Sequence, residues 1–384
     1  MSGNTPQLGV GMVGFGFIGK VHAHAYRSLK LFYDPAPADV RLVGVCTSNE
    51  ETAAKAAQQG EFEFGTTEFA RLIERDDIHI IDVATPNQLH RDQVIAALDA
   101  GKHVYCDKPL TGSLAEAREI LEVASAHPEL THGMAFQSRF VPATMRARQL
   151  IAEGALGRVY HFRSAYLHSG YEDASRPLSW RLSKEAGGGV LTDLGSHIID
   201  LTTWLLGPYA SVTANMETFI TERPVAKGAT EMGPVEVEDY VCFQARMRGG
   251  ALGFVEASRF ATGTQDQLEF AIFGEKGALK FDLMAPNWLQ YYDGTLDGGD
   301  FGGERGFKAL ECVQRYPAPS ALPAPKLGVG WIRTHIHCVY DFIAAIAQRR
   351  CGVVTLADGA YVHAVDEAIR ESATNGEEAA VATV

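Results

Sequence analysis

The chain has no Lys/Arg-rich block, and its basic residues are outnumbered: 34 Lys and Arg stand against 47 Asp and Glu, a formal charge of −13. Nucleic acids and anionic membranes are bound through a basic footprint, so neither is an expected partner. No apolar run approaches the ~20 residues that span a bilayer. The six cysteines, Cys46, Cys106, Cys242, Cys312, Cys338 and Cys351, are scattered without a C-x-x-C pair. That spacing argues against a disulfide frame or zinc knuckle and for reduced thiols. The opening Met1-Ser2-Gly3-Asn4-Thr5-Pro6-Gln7 lacks a basic segment followed by an apolar one, so no secretory leader is expected and the cytoplasm is the default address. Internal repeats and long low-complexity tracts are also missing.

What is present is a globular composition, with 46% hydrophobic and 21% charged residues over 384 positions. At roughly 150 residues per domain, this length favours two domains. Leu8 to Val13, Val40 to Val45, Ile78 to Ala84, Lys102 to Cys106 and Thr131 to Phe136 read as short apolar strands. Helix-compatible segments separate most of them: Lys20 to Leu31, Glu51 to Gln59, Gln88 to Ala100 and Leu114 to Ala126. Strands alternating with helices predict parallel βαβ units, hence a doubly wound sheet over residues 1–135.

The pattern then changes. Val141 to Glu153 reads as a bridging helix, Arg158 to His168 as a strand, and Leu191 to Leu206 as a helix stopped by Gly207-Pro208. The successive runs Val237 to Met247, Ala251 to Ser258, Gln267 to Phe273 and Ala278 to Asp282, separated by glycine turns, predict a mostly antiparallel sheet within residues 136–384. Asp297 to Gly306 and Pro317 to Pro325 read as surface loops.

The first chemical signal is Gly14-Phe15-Gly16-Phe17-Ile18-Gly19, directly after a strand and opening a helix. Glycines there permit a tight turn and close approach of backbone to a pyrophosphate, and the helix start offers free N–H groups. Gly14, Gly16, Phe17 and Ile18 are therefore cofactor candidates. The end of the second strand, where an acid commonly binds the adenosine ribose, holds Cys46-Thr47-Ser48-Asn49. Thr47 takes that place, while Asp34 and Asp39 precede the strand and read as loop charges. No Arg is present there to receive a 2′-phosphate, so NAD and NADP both stay open, with a lean to NAD. His22 and His24, on the helix after the loop, read as ordinary helix residues.

Four further stretches carry a resemblance. Ala84-Thr85-Pro86-Asn87-Gln88-Leu89-His90 is followed by Gly101-Lys102-His103-Val104-Tyr105-Cys106-Asp107-Lys108-Pro109. Gly187-Gly188-Gly189-Val190-Leu191-Thr192-Asp193-Leu194-Gly195-Ser196-His197 and Thr355-Leu356-Ala357-Asp358-Gly359-Ala360 come later. In this order they resemble the Gfo/Idh/MocA oxidoreductases. The resemblance implies an N-terminal Rossmann dinucleotide-binding domain and a C-terminal α/β domain with a large open sheet. It further implies a nicotinamide cofactor, a sugar or polyol substrate, and a homodimer or homotetramer. The usual Glu-Lys-Pro is Asp107-Lys108-Pro109 here, with a shorter carboxylate toward the ribose. Leu31 to Pro37 and the Trp180-Arg181 region are similar to members acting on inositols and on anhydrosugars such as levoglucosan.

Lys108 follows a parallel strand, at the sheet edge where such folds bind ligands. Alone it reads as a surface lysine; within Asp107-Lys108-Pro109 it reads as a group that polarises a substrate oxygen. Asp193 and His197 lie four apart near a helix start, one turn from each other, a spacing that suits an acid–base pair. An isolated D-x-x-x-H would be a helix-start Asp with an unrelated His; the preceding glycines and the resemblance favour catalysis. By resemblance, Thr85, Pro86, Asn87, His90, Asp107, Trp180 and Arg181 are cofactor residues and Arg139 lies on a substrate-side turn. Tyr166 and His168 are candidate hydroxyl contacts, and His335 a candidate pocket residue, although His335 and His337 diverge on a helix. No third ligand at diagnostic spacing accompanies Asp193 and His197, so no metal is expected.

The expected activity is NAD(P)-dependent oxidation of a sugar, anhydrosugar or cyclic-polyol hydroxyl. Two other readings stand beside it: glycoside cleavage through transient oxidation with a recycled NAD, and a non-catalytic dinucleotide sensor. A sensor would not need Lys108, Asp193 and His197 together.

Overall fold

The structure, a computed structural model, describes residues 5–313 and 316–384. It divides into two compact units, made of the described residues of Met1–Phe140 with Arg315–Ala360, and of Val141–Gln314 with Tyr361–Val384.

In the first unit β1 (Gln7–Val13) is buried beyond its first residue, as an unbroken apolar run requires of a strand covered on both faces. It is followed by α1 (Phe17–Phe32), β2 (Asp39–Cys46), α2 (Glu50–Gly60), β3 (Phe64–Thr66), α3 (Ala70–Ile73), β4 (Ile80–Val83), α4 (His90–Asp99), β5 (His103–Cys106), α5 (Leu114–Ala126) and β6 (His132–Met134). The strands are parallel in the order β3-β2-β1-β4-β5-β6. The order reverses between β1 and β4, and the carboxyl ends at such a switch point are where ligands bind. Gly14, Thr85 and Asp107 are the residues at or just beyond the ends of β1, β4 and β5.

Helix starts follow local chemistry. The Asn49 side chain accepts from the Thr52 N–H at the start of α2, with Glu50 and Glu51 in its first turn. Ser113 caps α5 by accepting from the Glu116 N–H, while the Glu116 carboxylate reaches back to the Gly112 N–H, a reciprocal box.

The second unit begins with α6 (Pro142–Ala152) and β7 (Val159–Leu167), then a single wide π-type turn, Leu191–Gly195, leading into α7 (Ser196–Leu206). The continuous helix expected from Leu191 is thus a wide turn before a helix. β8 (Tyr209–Glu217), the small hairpin β9 (Glu222–Pro224) and β10 (Met232–Pro234), β11 (Tyr240–Met247), β12 (Leu252–Ser258), β13 (Gln267–Gly274), β14 (Gly277–Asp282), β15 (Trp288–Asp293) and β16 (Phe307–Glu311) follow. Its large sheet runs β16-β15-β14-β13-β7-β12-β11-β8-β17, with β17 at Ala379–Ala380. Every pairing is antiparallel except β12 with β7. Alternation along β12 turns Val255 and Ala257 inward and leaves Leu252 and Phe254 exposed. Registers carry that outer face to Trp288 and Phe307, also exposed.

The two-domain, α/β reading holds, but the chain does not divide at a single cut near residue 136. After β16 it returns to the first unit with α8 (Trp331–Gln348), which lies along α1. The physical reason is a set of buried partners: Arg333 donates to the Tyr33 hydroxyl at 2.8 Å, and the Tyr33 hydroxyl meets His337 Nδ1 at 2.7 Å. The last helix, α9 (Leu356–Asn375), leads back to the second unit. Among the described residues no helix is long and apolar enough to cross a membrane.

Candidate active site

At the end of β1 the chain turns through Gly14 at φ +89°. A Cβ there would lie 2.4 Å from the Ala84 carbonyl oxygen, so only glycine fits against the end of β4. Gly16 differs: a Cβ on it would meet no atom within 4 Å. No side chain caps the α1 N-terminus that begins there. An uncapped helix start beneath an open glycine fits a pyrophosphate, whose oxygens accept from free backbone N–H groups. Phe17 is 75% exposed, its ring stacked on Trp331 at 5.8 Å, and Ile18 is half-buried.

Thr47 stands half-buried at the end of β2, its backbone N–H bonded to Thr66 and its hydroxyl 2.7 Å from that of Thr52. Thr85 donates through its hydroxyl to Gln93, Pro86 is half-buried and Asn87 is buried. Asp107 and Lys108 are half-buried just past β5, with the Asp107 N–H on the Val83 carbonyl.

Three sequence candidates are buried within the first unit. His90 is fully buried, with Nε2 2.8 Å from the Thr85 carbonyl and Nδ1 3.0 Å from that of Pro109. It ties the segment after β4 to the one after β5. Arg139 is 3% exposed and donates to the Val353 carbonyl and the Asp358 carboxylate, each at 2.8 Å. Asp358 in turn accepts from the Thr355 N–H and hydroxyl, so Arg139 anchors the turn that starts α9. His335 is 2% exposed, its ring 4.3 Å from that of Trp331 and 6.3 Å from that of His22. His22 itself is fully buried, 3.0 Å from an equally buried Asp82. Burial alone would lower its pKa, but the Asp82 carboxylate beside it, helped by the charge of Asp107, raises it instead.

In the second unit, Gly189, at φ +113°, passes so close to Glu238 that a Cβ would lie 2.4 Å from its Oε1. Glu238 accepts the Leu191 N–H at 3.0 Å and is paired with Arg370. This clamp fixes the wide turn that carries Asp193. The buried Arg259 guanidinium donates to Asp193 Oδ2 at 2.8 Å and to the Gly189 carbonyl at 3.2 Å. Burial disfavours the Arg259 charge, and the Asp193 carboxylate outweighs it. His197 lies buried in the first turn of α7, its ring edge-on to Tyr166 at 5.6 Å.

Tyr166 and His168 converge on one carboxylate. The Tyr166 hydroxyl donates to Asp266 Oδ1 at 2.6 Å, and His168 Nε2 lies 2.9 Å from the same oxygen. Burial first, and Asp266 second, raise the Tyr166 pKa far above its ordinary value, so the phenol remains a donor. Trp180 and Arg181 lie on a short turn, the guanidinium 4.4 Å above the indole. Asp266, Arg259 and Glu238 escaped the sequence reading. Arg259 follows an apolar strand directly, a faint signal, whereas Glu238 sits beside Glu236 and Asp239, and Asp266 between two glutamines, with nothing to mark either.

Residues 8–132 match the model of an oxidoreductase family with an NAD-binding Rossmann fold, and residues 144–280 match the GFO/IDH/MocA C-terminal domain. Levoglucosan dehydrogenase of Pseudarthrobacter phenanthrenivorans is 38% identical over 380 residues, covering 95% of this chain and 96% of that protein. A solved levoglucosan dehydrogenase in complex with NADH superposes with a TM-score of 0.93 at 37% identity, covering 98% of this chain and 100% of the other. Another, with NADH and levoglucosan, gives 0.92 at 37% identity with the same coverage.

Proposed function

The chain belongs to the Gfo/Idh/MocA oxidoreductase family, and on that premise we propose that it is an NAD-dependent dehydrogenase oxidising a hydroxyl of a sugar or anhydrosugar, with levoglucosan first to be tried. The reverse reaction reduces the matching ketone. The observation that carries this reading is Asp193, held by the buried Arg259, one turn from His197 beside Tyr166. The likeness to levoglucosan dehydrogenase over nearly the whole chain supports the substrate class.

In the oxidation, His197 takes the hydroxyl proton and Lys108 stabilises the oxygen as the C–H bond breaks. Asp193 orients that hydroxyl and favours the imidazolium that forms on His197. When bound, the nicotinamide supplies the hydride acceptor. The pair of electrons in the C–H bond leaves with the hydride, the proton leaves with His197, and the carbon becomes a carbonyl. Gly14, Gly16, Phe17 and Ile18 hold the phosphates, while Thr47, Thr85, Pro86, Asn87, Asp107, Trp180 and Arg181 line the rest of the cofactor. Tyr166 and His168 contact other hydroxyls. His90, Arg139 and His335 are assigned supporting roles behind the contacts.

Two features belong to the same reading. A homodimer or homotetramer forms through the open sheet face bearing Leu252, Phe254, Trp288 and Phe307, whose exposed apolar area favours burial against a second copy. The enzyme works in the cytoplasm on a small carbohydrate or polyol.

The test is nicotinamide absorbance on mixing the protein with NAD or NADP and a panel of anhydrosugars, pyranoses, inositols and glycosides, with products analysed in parallel. Reduction of NAD by one substrate class is expected. Glycoside cleavage without net absorbance change would replace the reading with a recycling enzyme, and cofactor binding without turnover on any panel member would replace it with a sensor.

A further inference from the structure

Asp266 lies at the start of β13, and it gathers three groups that the sequence placed far apart. Its Oδ1 accepts from the Tyr166 hydroxyl and faces His168 Nε2, and the Tyr166 ring meets His168 edge-on at 5.0 Å and His197 at 5.6 Å. A carboxylate oxygen can only accept, so the proton of His168 resides on Nε2 and, in the neutral ring, Nδ1 becomes an acceptor. Both bonds fall on Oδ1. Among the described residues none donates to Oδ2, and the side chain is 40% exposed while His168 is 34% exposed. The half-exposed carboxylate thus has one oxygen committed to the protein and one to which no described residue donates.

We propose that Asp266 is a substrate-specificity residue: through Oδ1 it fixes Tyr166 and the tautomer of His168, and through Oδ2, together with His168 Nδ1, it accepts from hydroxyl groups of the sugar. Two acceptors on one His–Asp pair select a ligand carrying two free O–H donors and reject one lacking either, because a substrate that dries the site without donating leaves a polar group unpaired. The same carboxylate keeps its charge in this role. Burial would raise its pKa, but the hydrogen bonds it accepts from His168 and Tyr166 act the other way, and the net shift is downward. This inference rests on the sugar-dehydrogenase reading for its ligand and on the local geometry for the tautomer, so the two are tested apart.

Histidine ¹⁵N spectra of the full-length protein, assigned by His168→Gln, need no turnover. The wild type should show His168 protonated on Nε2, and Asp266→Asn should redistribute that proton; a wild-type His168 protonated on Nδ1 alone overturns the proposal. Kinetics with the preferred sugar and its single-deoxy analogues then test the recognition. Asp266→Asn should raise KM about tenfold with a smaller change in kcat, and this penalty should vanish for the analogue missing the hydroxyl that Oδ2 receives. An equal penalty for every analogue, or a loss confined to kcat, overturns the proposal. Should Asp266→Asn fold poorly, Tyr166→Phe frees one bond to Oδ1 and is expected to show the same analogue dependence at a few-fold smaller scale; equal penalties there count against the proposal equally. Absence of turnover on every panel sugar would strike the dehydrogenase reading and, with it, the sugar-binding part of this one, leaving the tautomer to be decided by the spectra.

Discussion

His22–Asp82 in the first unit and His168–Asp266 in the second are the same chemical pair at nearly the same separation, 3.0 and 2.9 Å. They differ in water. The first pair is wholly buried, whereas the side chains of the second are 34% and 40% exposed. In a dry interior, removing one partner strands a charge, so the His22–Asp82 bond serves to hold α1 against β4 directly below the glycine loop. At a half-wet site the same bond is individually weak, but a ligand hydroxyl can replace solvent on it at small desolvation cost. Burial, more than residue type, separates the pair that builds the sheet from the pair suited to a substrate.

This contrast can be broken most strongly at the reacting group. His197→Ala is expected to lower kcat by about 10²–10⁴ while leaving NADH binding, followed by fluorescence titration, near that of the wild type. Comparable loss of NADH affinity would make His197 a cofactor-holding residue instead. Next, Asp82→Ala should cost about 3–5 kcal/mol of unfolding free energy, against about 0–1 kcal/mol for Asp266→Ala. Denaturant titration of both variants reads the difference, and equal costs would abolish the distinction.

The first two glycines of the phosphate loop sharpen it. Gly14→Ala forces a Cβ to within 2.4 Å of the Ala84 oxygen at a left-handed φ and should destabilise the fold by more than about 1 kcal/mol. Gly16→Ala meets nothing in the protein; its thermal unfolding should be unchanged while NADH affinity falls about tenfold, as expected when backbone N–H groups are held away from a phosphate.

The smallest effect is in pH. The folded pKa of His22 is raised, so its contribution to stability is complete below the unfolded value of about 6.5 and is lost as pH rises through the folded value. The folded pKa of Asp266 is lowered, so its contribution is present above the unfolded value near 3.9 and is lost as pH falls through the folded one. Stability difference curves for His22→Gln and Asp266→Asn should therefore slope in opposite directions. Added salt should flatten the second more than the first, since screening reaches exposed pairs.

Much of the first unit is readable from residue order, because each βαβ step is a local pattern: an apolar run, a turn and a helix with its own cap. Gly14, Gly16, Lys108, Asp193 and His197 are likewise carried by contiguous motifs. The short strand Phe64–Thr66 and the strands Tyr209–Glu217, Trp288–Asp293 and Phe307–Glu311 lack such runs and emerge only through pairing with neighbours. The return of residues after β16 to the first unit depends on Tyr33 meeting Arg333 and His337 some three hundred positions away, which no spacing rule encodes. Arg139 illustrates the opposite case. Its motif was visible, but its direction, into Asp358 and the Val353 carbonyl, is a property of tertiary packing. Asp266 was invisible for the same reason, since its partners Tyr166 and His168 lie about a hundred residues earlier.

The most direct test of the proposed activity is the fate of a carbon-bound deuterium in a perdeuterated substrate such as levoglucosan incubated with the protein and NAD. Hydride transfer to a released cofactor predicts free NADH one mass unit heavier, formed in step with a ketone product and absent with His197→Ala. Deuterium retained entirely in sugar products, or no labelled cofactor with any substrate of the panel, would contradict it.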